Sequence, residues 1–247
     1  MIDLSVTQHM PITAGPPAPA RDWALFLDLD GTLLDIAPTP DAVIVPPDLV
    51  TDLASVSKAL GGALAIVSGR GLDTIDSLLT PLRLPVGSEH GALVRLPNGA
   101  YDEVELKVPE DWKTALHDLV AACPGVLAEI KGHNIVAHYR NAPSHEEDVR
   151  RLVDRLVACD PQNFALLEAK MAFEIRPRQV TKGHVVDCLM NVEPFRGRIP
   201  VFIGDDITDE DGFAAAIKLG GIALHVASSF AGRPSEVRHW LKRFTDL

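Results

Sequence analysis

Short apolar runs alternate with helical patterns in the first part of the chain, and this alternation is the feature that most constrains the fold. Residues 24–27 and 63–67 are apolar runs, and helical patterns follow them at 49–60 and 72–79. A further short strand is expected near 85–87. Strands that alternate with helices form parallel sheets covered by helices. The sequence therefore predicts an α/β fold with a doubly wound, Rossmann-like parallel sheet.

The pattern changes in the middle of the chain. A hairpin with a Pro-Asn-Gly turn at 97–99 comes first, and two groups follow in which one helix precedes two strands. Such groups are typical of an antiparallel sheet with helices on one face. The parallel pattern then returns. We therefore predict a core domain, residues 22–91 and 180–247, into which a smaller α+β cap domain, residues 92–179, is inserted.

Residues 1–21 contain four prolines and little apolar periodicity, which predicts a flexible leader. The chain has neither the features of a signal peptide nor a run of about 20 apolar residues, so we expect a cytoplasmic protein. Its formal net charge of −11 disfavours nucleic acid and anionic membranes as partners, because both bind mainly through Lys and Arg. A small anionic substrate would need local positive charge, which a divalent cation and a few basic residues can supply.

Polar motifs follow several of the predicted core strands or begin the next helix. They are Asp28-Leu29-Asp30-Gly31-Thr32, Ser68-Gly69-Arg70, Lys182-Gly183 and Gly204-Asp205-Asp206-Ile207-Thr208-Asp209-Glu210. Each motif alone can be explained by helix caps and turns. The carboxyl ends of parallel strands, however, meet at one edge of a sheet, where such folds bind ligands. We therefore expect the motifs to form one pocket.

Together these residues suit phosphoryl transfer, which needs an in-line nucleophile, a proton donor and positive charge around the phosphoryl oxygens. Asp28 is the candidate nucleophile and would form an aspartyl-phosphate. Asp30 could protonate the leaving oxygen and later accept a proton from water. Ser68 and Lys182 could contact the phosphoryl oxygens.

A metal site is also predicted at this edge of the sheet. Asp205 and Asp209 are four residues apart at a strand-to-helix junction. With a carboxylate oxygen of Asp28 and water, they would suit octahedral Mg²⁺, which prefers oxygen ligands.

A signalling receiver module is an alternative of a different class, because it too combines a phospho-accepting Asp with acidic residues, a Ser or Thr and a Lys on a doubly wound sheet. It would act as a switch and needs neither a leaving-group acid nor a cap. The acidic residue at Asp30 and the long insert between Ser68 and Lys182 count against this alternative.

The order and context of the four motifs resemble the signature motifs of the haloacid dehalogenase phosphatases. The resemblance implies that Asp28 is the nucleophile, Asp30 the general acid and base, and Ser68 and Lys182 the phosphoryl ligands. It also implies a metal site. The residues implied for that site are Asp28, Asp205, Asp209 and the backbone carbonyl of Asp30.

Several further segments resemble trehalose-6-phosphate phosphatases, in particular bacterial ones. They are Gly87-Ser88-Glu89-His90-Gly91, Glu129-Ile130-Lys131, His138-Tyr139-Arg140 and Glu174-Ile175-Arg176-Pro177. This resemblance implies Mg²⁺-dependent hydrolysis of trehalose 6-phosphate in trehalose biosynthesis. The residues that it implies for substrate binding are Arg70, Glu129, Lys131, Arg140 and Glu174.

Pattern alone leaves the role of these cap residues open. Glu and Lys at alternate strand positions also form exposed cross-strand ion pairs. His90 fits a structural role in a turn. A phosphatase for another sugar phosphate, such as sucrose phosphate or a hexose phosphate, is the alternative within the enzyme interpretation.

Overall fold

The computed structural model describes residues 15–37, 39, 42–169 and 171–247. The strands of this part of the chain are β1 (Trp23–Leu27), β2 (Leu64–Val67), β3 (Val86–Ser88), β4 (Leu93–Arg95), β5 (Tyr101–Glu103), β6 (Leu127–Ile130), β7 (Ile135–His138), β8 (Phe164–Ala169), β9 (Ala172–Pro177), β10 (Ile199–Gly204) and β11 (Ile222–His225). The α-helices are α1 (Leu49–Ala59), α2 (Leu72–Leu79), α3 (Glu110–Ala122), α4 (Glu146–Cys159), α5 (Lys182–Leu189), α6 (Glu210–Lys218), α7 (Val226–Ser229) and α8 (Pro234–Leu241). Short 3₁₀ segments occur at Glu89–Gly91, Pro143–His145, Ile207–Asp209 and Lys242–Asp246.

The larger sheet has the strand order β11-β10-β1-β2-β3-β4-β5. Its first five strands pair in parallel, which confirms the predicted doubly wound core. Strand β1 lies between β10 and β2 and is buried along its whole length. Such burial explains why its sequence is continuously apolar rather than alternating. The carboxyl ends of these parallel strands form the edge that carries the candidate site.

The hairpin formed by β4 and β5 belongs to the larger sheet. An insert that begins at residue 92 would include it, but β4 pairs antiparallel with β3, and β5 pairs with β4. A hairpin satisfies its own turn chemistry wherever it lies, so the local sequence does not determine which sheet edge it covers. Here it covers the free edge of β3, which would otherwise expose unpaired backbone groups.

The smaller sheet is antiparallel, with the strand order β6-β7-β9-β8, and helices α3 and α4 pack against it. Its buried residues form a hydrophobic cluster separate from that of the larger sheet. Within this cluster the rings of Trp112 and Phe164 have centroids 4.9 Å apart. The predicted α+β unit is therefore present, with a core of its own.

Three aromatic side chains pack together in the larger hydrophobic cluster, near the start of β1. Trp23 stacks on Trp240 with ring centroids 6.2 Å apart, and Phe244 contacts both rings. The indole nitrogen of Trp240 donates a hydrogen bond of 2.9 Å to the carbonyl of Pro17. Residues 1–14 of the predicted leader lie outside the described residues, whereas its last part is anchored to the core by this bond.

Among the residues that the structure describes, no helix has the length and apolar character that crossing a membrane would require.

Candidate active site

Asp28 follows β1 directly, at the carboxyl edge of the larger sheet. Its backbone N–H donates a hydrogen bond of 2.9 Å to the carbonyl of Ile203 in β10, so the parallel pairing continues into the motif. Only 4% of Asp28 is exposed. A buried central strand therefore fixes the carboxylate in position.

Lys182, the first residue of α5, bridges two carboxylates. Its Nζ donates hydrogen bonds of 2.7 Å to Oδ1 of Asp28 and 2.7 Å to Oδ1 of Asp209. Burial alone would lower the pKa of the ammonium, but the charges of Asp28 and Asp209 raise its pKa above the usual value. Lys182 is therefore protonated at the point where a phosphoryl group would bind.

Asp209 organises the loop after β10. Its Oδ2 accepts hydrogen bonds of 3.0 Å from the backbone N–H groups of Asp205 and Asp206. The Asp206 side chain caps the following 3₁₀ turn by accepting a bond of 2.6 Å from the Ile207 N–H. The Thr32 hydroxyl lies within hydrogen-bond distance, 3.4 Å, of Oδ1 of Asp205. Asp205 is thus left at the rim of the site while Asp209 is wholly buried.

Three carboxylates lie close together at the site, and their negative charge can bind a cation in addition to Lys182. Asp28, Asp205 and Asp209 each offer a carboxylate oxygen, and these oxygens lie within 4.8 Å of one another. Burial raises the pKa of Asp28 well above its usual value, although Lys182 opposes the shift. Burial and the charge of Asp209 raise the pKa of Asp205 to about 6. Clustered carboxylate oxygens of this kind suit a hard divalent cation such as Mg²⁺.

Gly31 is required by the close approach of this cluster. Its φ is +80°, and a Cβ at this position would lie 2.1 Å from Oδ2 of Asp205. Any larger residue would displace the carboxylate as well as strain the backbone.

Asp30 is held by Arg70 rather than by the carboxylate cluster. Nε and Nη2 of Arg70 donate to the two oxygens of Asp30 at 2.6 and 2.8 Å, a bidentate ion pair. The hydroxyl of Ser68, buried at the end of β2, accepts a bond of 3.2 Å from the Arg70 backbone N–H. The pairing fixes the orientation of the Asp30 carboxylate beside the site.

A cavity of about 560 Å³ lies between the carboxyl edge of the larger sheet and the smaller sheet. It is lined by all of the residues predicted for catalysis or substrate binding, which are Asp28, Asp30, Ser68, Arg70, Glu129, Lys131, Arg140, Glu174 and Lys182. The structure therefore brings together groups separated by more than 150 positions in the chain.

The residues of the smaller sheet differ in burial. Glu174 is buried, so the interpretation as an exposed strand position does not apply to it. Burial would raise its pKa, but His90, Lys131 and Asn134 lower it to about 2. Lys131 donates a bond of 3.1 Å to the carbonyl of Gly69 and pairs with Glu129 at 3.3 Å.

Sequence reasoning missed the contacts that join the two sheets beside the cavity. Glu89, after β3, contacts His133, between β6 and β7, and His90 contacts Glu174 of β9. Asn134 donates to the same Glu174 from within the smaller sheet. Glu89 and His90 have φ values of 48° and 60°, which a sequence without glycine at those positions does not indicate.

Comparisons with known proteins agree with this geometry. The trehalose-phosphatase family model matches residues 26–238. Trehalose-6-phosphate phosphatase of Escherichia coli K12 is 40% identical over 95% of this chain and 91% of its own length. The C-terminal domain of C. albicans trehalose-6-phosphate phosphatase has a TM-score of 0.72 at 18% identity, covering 95% of this chain and 99% of that one. A haloacid dehalogenase-like hydrolase from B. subtilis has a TM-score of 0.59 at 16% identity, covering 89% and 99%.

These matches confirm the resemblance inferred from the motifs. The family model covers most of the chain, and the chain covers almost the whole length of the bacterial relative. Both agree with a core in which Asp28 and Lys182 lie at one sheet edge. The chain belongs to the trehalose-phosphatase family.

Proposed function

We propose that this protein hydrolyses trehalose 6-phosphate to trehalose and phosphate through an aspartyl-phosphate intermediate, and that it requires Mg²⁺. The observation that carries the proposal is the shared cavity, in which the Asp28–Lys182 pair faces Glu129, Lys131 and Glu174 of the smaller sheet. The 40% identical relative is described as a trehalose-6-phosphate phosphatase, which supports the same substrate.

The first chemical step forms the phosphoenzyme. A carboxylate oxygen of Asp28 attacks phosphorus while the bond from phosphorus to the sugar oxygen breaks. Asp30, once protonated and released from Arg70, gives its proton to that oxygen, and trehalose leaves. Ser68 and Lys182 hold the phosphoryl oxygens by hydrogen bonds.

The second step restores the enzyme. Asp30, now ionised, accepts a proton from a water molecule as the water oxygen attacks phosphorus. The acyl phosphate bond breaks, phosphate leaves, and Asp28 returns to its carboxylate form. Lys182 remains paired with Asp209 throughout, which keeps the ammonium beside the reacting group.

Asp28, Asp205 and Asp209, with the Asp30 backbone carbonyl, would hold the cation. Bound there, Mg²⁺ supplies positive charge that offsets the charge of the phosphoryl group. Lys182 contacts Asp28 and Asp209 but not the third carboxylate, Asp205, among the contacts of the described residues. A protein with a net charge of −11 otherwise repels an anionic substrate. This local balance of charge supports the metal requirement.

The smaller sheet is proposed to act as the cap, within residues 92–179, over a core of residues 22–91 and 180–247. The β4–β5 hairpin lies in that numerical range but pairs with the core sheet. Glu129, Lys131, Arg140 and Glu174 would bind sugar hydroxyls. A cavity of about 560 Å³ is within the ordinary range for small-molecule sites and has room for a disaccharide. The cytoplasm is the proposed location.

A substrate panel tests the specificity. Trehalose 6-phosphate should have a much larger kcat/KM than glucose 6-phosphate, because contacts to the second sugar help to close the site and position phosphorus. Equal use of the two substrates would reject the assignment. A preference for sucrose phosphate would favour the alternative sugar-phosphate phosphatase.

Trapping the intermediate tests the mechanism. Acid quenching during turnover of ³²P-labelled substrate should give a base-labile phosphoprotein that Asp28→Asn lacks, while the variant keeps the fold. Unchanged phosphate release by Asp28→Asn would exclude Asp28 as the nucleophile. A stable stoichiometric phosphoprotein without turnover would indicate a receiver module instead.

Chelation tests the metal. Activity should disappear in excess chelator and return with Mg²⁺, and Asp205→Ala should raise the Mg²⁺ concentration that half-maximal activity needs. Full activity in chelator after dialysis would contradict the metal requirement. Ca²⁺ should inhibit, because the larger ion accepts more ligands and misaligns the attack.

A further inference from the structure

A strained turn connects the larger sheet to the active-site loop. Glu89, His90 and Gly91 follow β3 with consecutive positive φ values of 48°, 60° and 104°. Two of the three are not glycine, so the surrounding structure has to maintain an unfavourable backbone. The N–H groups of Glu89 and His90 donate bonds of 3.0 Å to the carbonyls of Arg70 and Ser68. We call residues 89–91 the docking turn.

Glu89 binds the loop between β6 and β7 of the smaller sheet. Its Oε2 accepts a bond of 3.0 Å from the His133 backbone N–H and lies 3.3 Å from Nδ1 of the same residue. Nε2 of His133 is 3.0 Å from the carbonyl of Val104 and 3.3 Å from a carboxylate oxygen of Glu103. With only 3% of His133 exposed, this side chain is enclosed between the docking turn and the β4–β5 hairpin.

The charges around His133 favour an ion pair. The hydrogen bond that Glu89 accepts from the His133 ring raises the pKa of His133 above its usual value, and the nearby Glu103 acts in the same direction. Burial would raise the pKa of Glu89, but the bonds from His133 and the charge of Lys131 hold it below its usual value. Both shifts favour the charged forms of His133 and Glu89, so the contact between the two sheets is favoured electrostatically.

His90 contacts the smaller sheet at a second point. Its Nε2 lies 3.5 Å from Oε2 of Glu174, while Asn134 donates to the other oxygen of that carboxylate. A Cβ added to Gly69 would lie 2.5 Å from Nε2 of His90, so the imidazole is packed against the active-site loop. Nδ1 of His90 is buried and has no hydrogen-bond partner among the described residues. Nε2 of His90 therefore contacts Glu174, whereas Nδ1 makes no hydrogen bond within the described part of the chain.

We propose that the docking turn is an element by which the core holds the smaller sheet over the active site, and that His90 is a positioning residue that orients Glu174 toward the sugar. The docking role rests on the contacts alone, whereas the sugar role of His90 rests on the proposed function. Because the same turn is bonded to Ser68 and Arg70, it sets the distance between the sugar contacts and the phosphoryl site. A weakened turn should impair sugar recognition more than phosphate chemistry.

Hydrogen–deuterium exchange tests the docking role without any substrate. Glu89→Asn tolerates the left-handed backbone but has too short a side chain to reach His133. In this variant the peptide covering residues 126–140 should exchange at least tenfold faster than in the wild type. Glu89→Gln, which can still accept from the His133 N–H but has lost the charge, should exchange more slowly than Glu89→Asn. Glu110→Ala, which changes an exposed glutamate of α3, is the matched control.

The kinetic test uses trehalose 6-phosphate and an aryl phosphate side by side. Glu89→Asn and His90→Asn should raise KM for trehalose 6-phosphate about tenfold or more and leave KM for p-nitrophenyl phosphate within about twofold. In a double-mutant cycle, Glu89→Asn/His133→Ala should lose less than the sum of the two single variants, because the two side chains share one contact.

Three results would overturn the inference. Exchange in 126–140 that is unchanged in Glu89→Asn would reject docking, whatever the substrate. Equal losses for both substrates would mean that the turn supports only the Ser68–Arg70 loop. Additive effects of Glu89 and His133 would show that they do not form one contact.

Failure of the wild type to prefer trehalose 6-phosphate would reject the proposed function and the sugar role of His90, but the exchange result would still stand.

Discussion

Replacing Lys182 by methionine removes the only ammonium that contacts Asp28 and Asp209 among the described residues. Methionine has a similar length and is apolar, so packing in the first turn of α5 is largely kept. The two carboxylates would then be buried without a cation. In chelator, where no metal can replace the ammonium, we expect Lys182→Met to destabilise the fold.

The magnitude follows from the burial of the three groups. The side chains of Lys182, Asp28 and Asp209 are 3%, 6% and 0% exposed. Removing one partner of such a buried pair costs about 3–5 kcal/mol, because a buried charge is left uncompensated. In a chain of this size, 1 kcal/mol shifts Tm by about 2–4 °C, so Tm should fall by roughly 6–20 °C.

Thermal unfolding followed by circular dichroism in excess chelator measures this loss. Lys242→Met is the matched control, because Lys242 is half exposed and its nearest carboxylates are 3.6 and 3.7 Å away. It should change stability by no more than about 0.5 kcal/mol. Adding Asp28→Asn to Lys182→Met removes one of the unpaired charges and should recover a large part of the lost stability.

Two results would refute this reasoning. A Tm for Lys182→Met equal to that of Lys242→Met would show that the buried carboxylates do not depend on the ammonium. A double variant with Asp28→Asn that is less stable than Lys182→Met would show that the loss comes from packing rather than from charge.

Two further predictions concern the turn at Gly31 and the ion pair between Asp76 of α2 and Arg95 of β4. Gly31→Ala should abolish phosphatase activity as well as destabilise the fold by about 1–2 kcal/mol, because its Cβ would displace Asp205. Gly197→Ala, with φ +76° and open space around its Cβ, should show the backbone cost alone. Equal activity of both variants would contradict the role of the close approach to Asp205. Asp76→Asn should cost about 1–3 kcal/mol at pH 7, because it leaves the buried Arg95 without its anionic partner. The hydrogen bonds from Arg95 lower the pKa of Asp76, so the ion pair stabilises the fold fully above the usual carboxyl pKa and stops doing so as pH falls through the lowered pKa. The difference between the urea midpoints of the wild type and Asp76→Asn should therefore shrink below about pH 4. A difference that does not change with pH would exclude the ion pair as its cause.

The sequence predicted that Asp28, Ser68 and Lys182 would lie together, because their positions follow from strand order. Asp28 and Ser68 each follow a parallel strand, and the ends of such strands meet at one edge whatever the loops do. Lys182 and Asp209 sit at the starts of the next elements, so the same rule brings them close. This end of the cavity needed no knowledge of side-chain packing.

The rest of the site depends on tertiary contacts, which cannot be predicted from the spacing of residues in the sequence. Arg70 lines the cavity, as a substrate-binding residue would, and its guanidinium is also bonded to Asp30, 40 residues earlier in the chain. That pairing depends on the geometry of two loops. The positive φ values of Glu89 and His90 are imposed by tertiary contacts against the local preference of both residues. The partner sheet of the β4–β5 hairpin is likewise decided by a free strand edge, which is a property of the assembled fold.

The distribution of tryptophan has a consequence for spectroscopy. The chain has three tryptophans, and Trp23 and Trp240 lie in the cluster of the larger sheet while Trp112 lies in that of the smaller sheet. In Trp112→Phe the emission comes from the stacked pair alone, and in a Trp23→Phe/Trp240→Phe variant it comes from the smaller sheet alone. The two emission signals would then show, during denaturation, whether the two hydrophobic clusters lose their structure at the same denaturant concentration or one before the other.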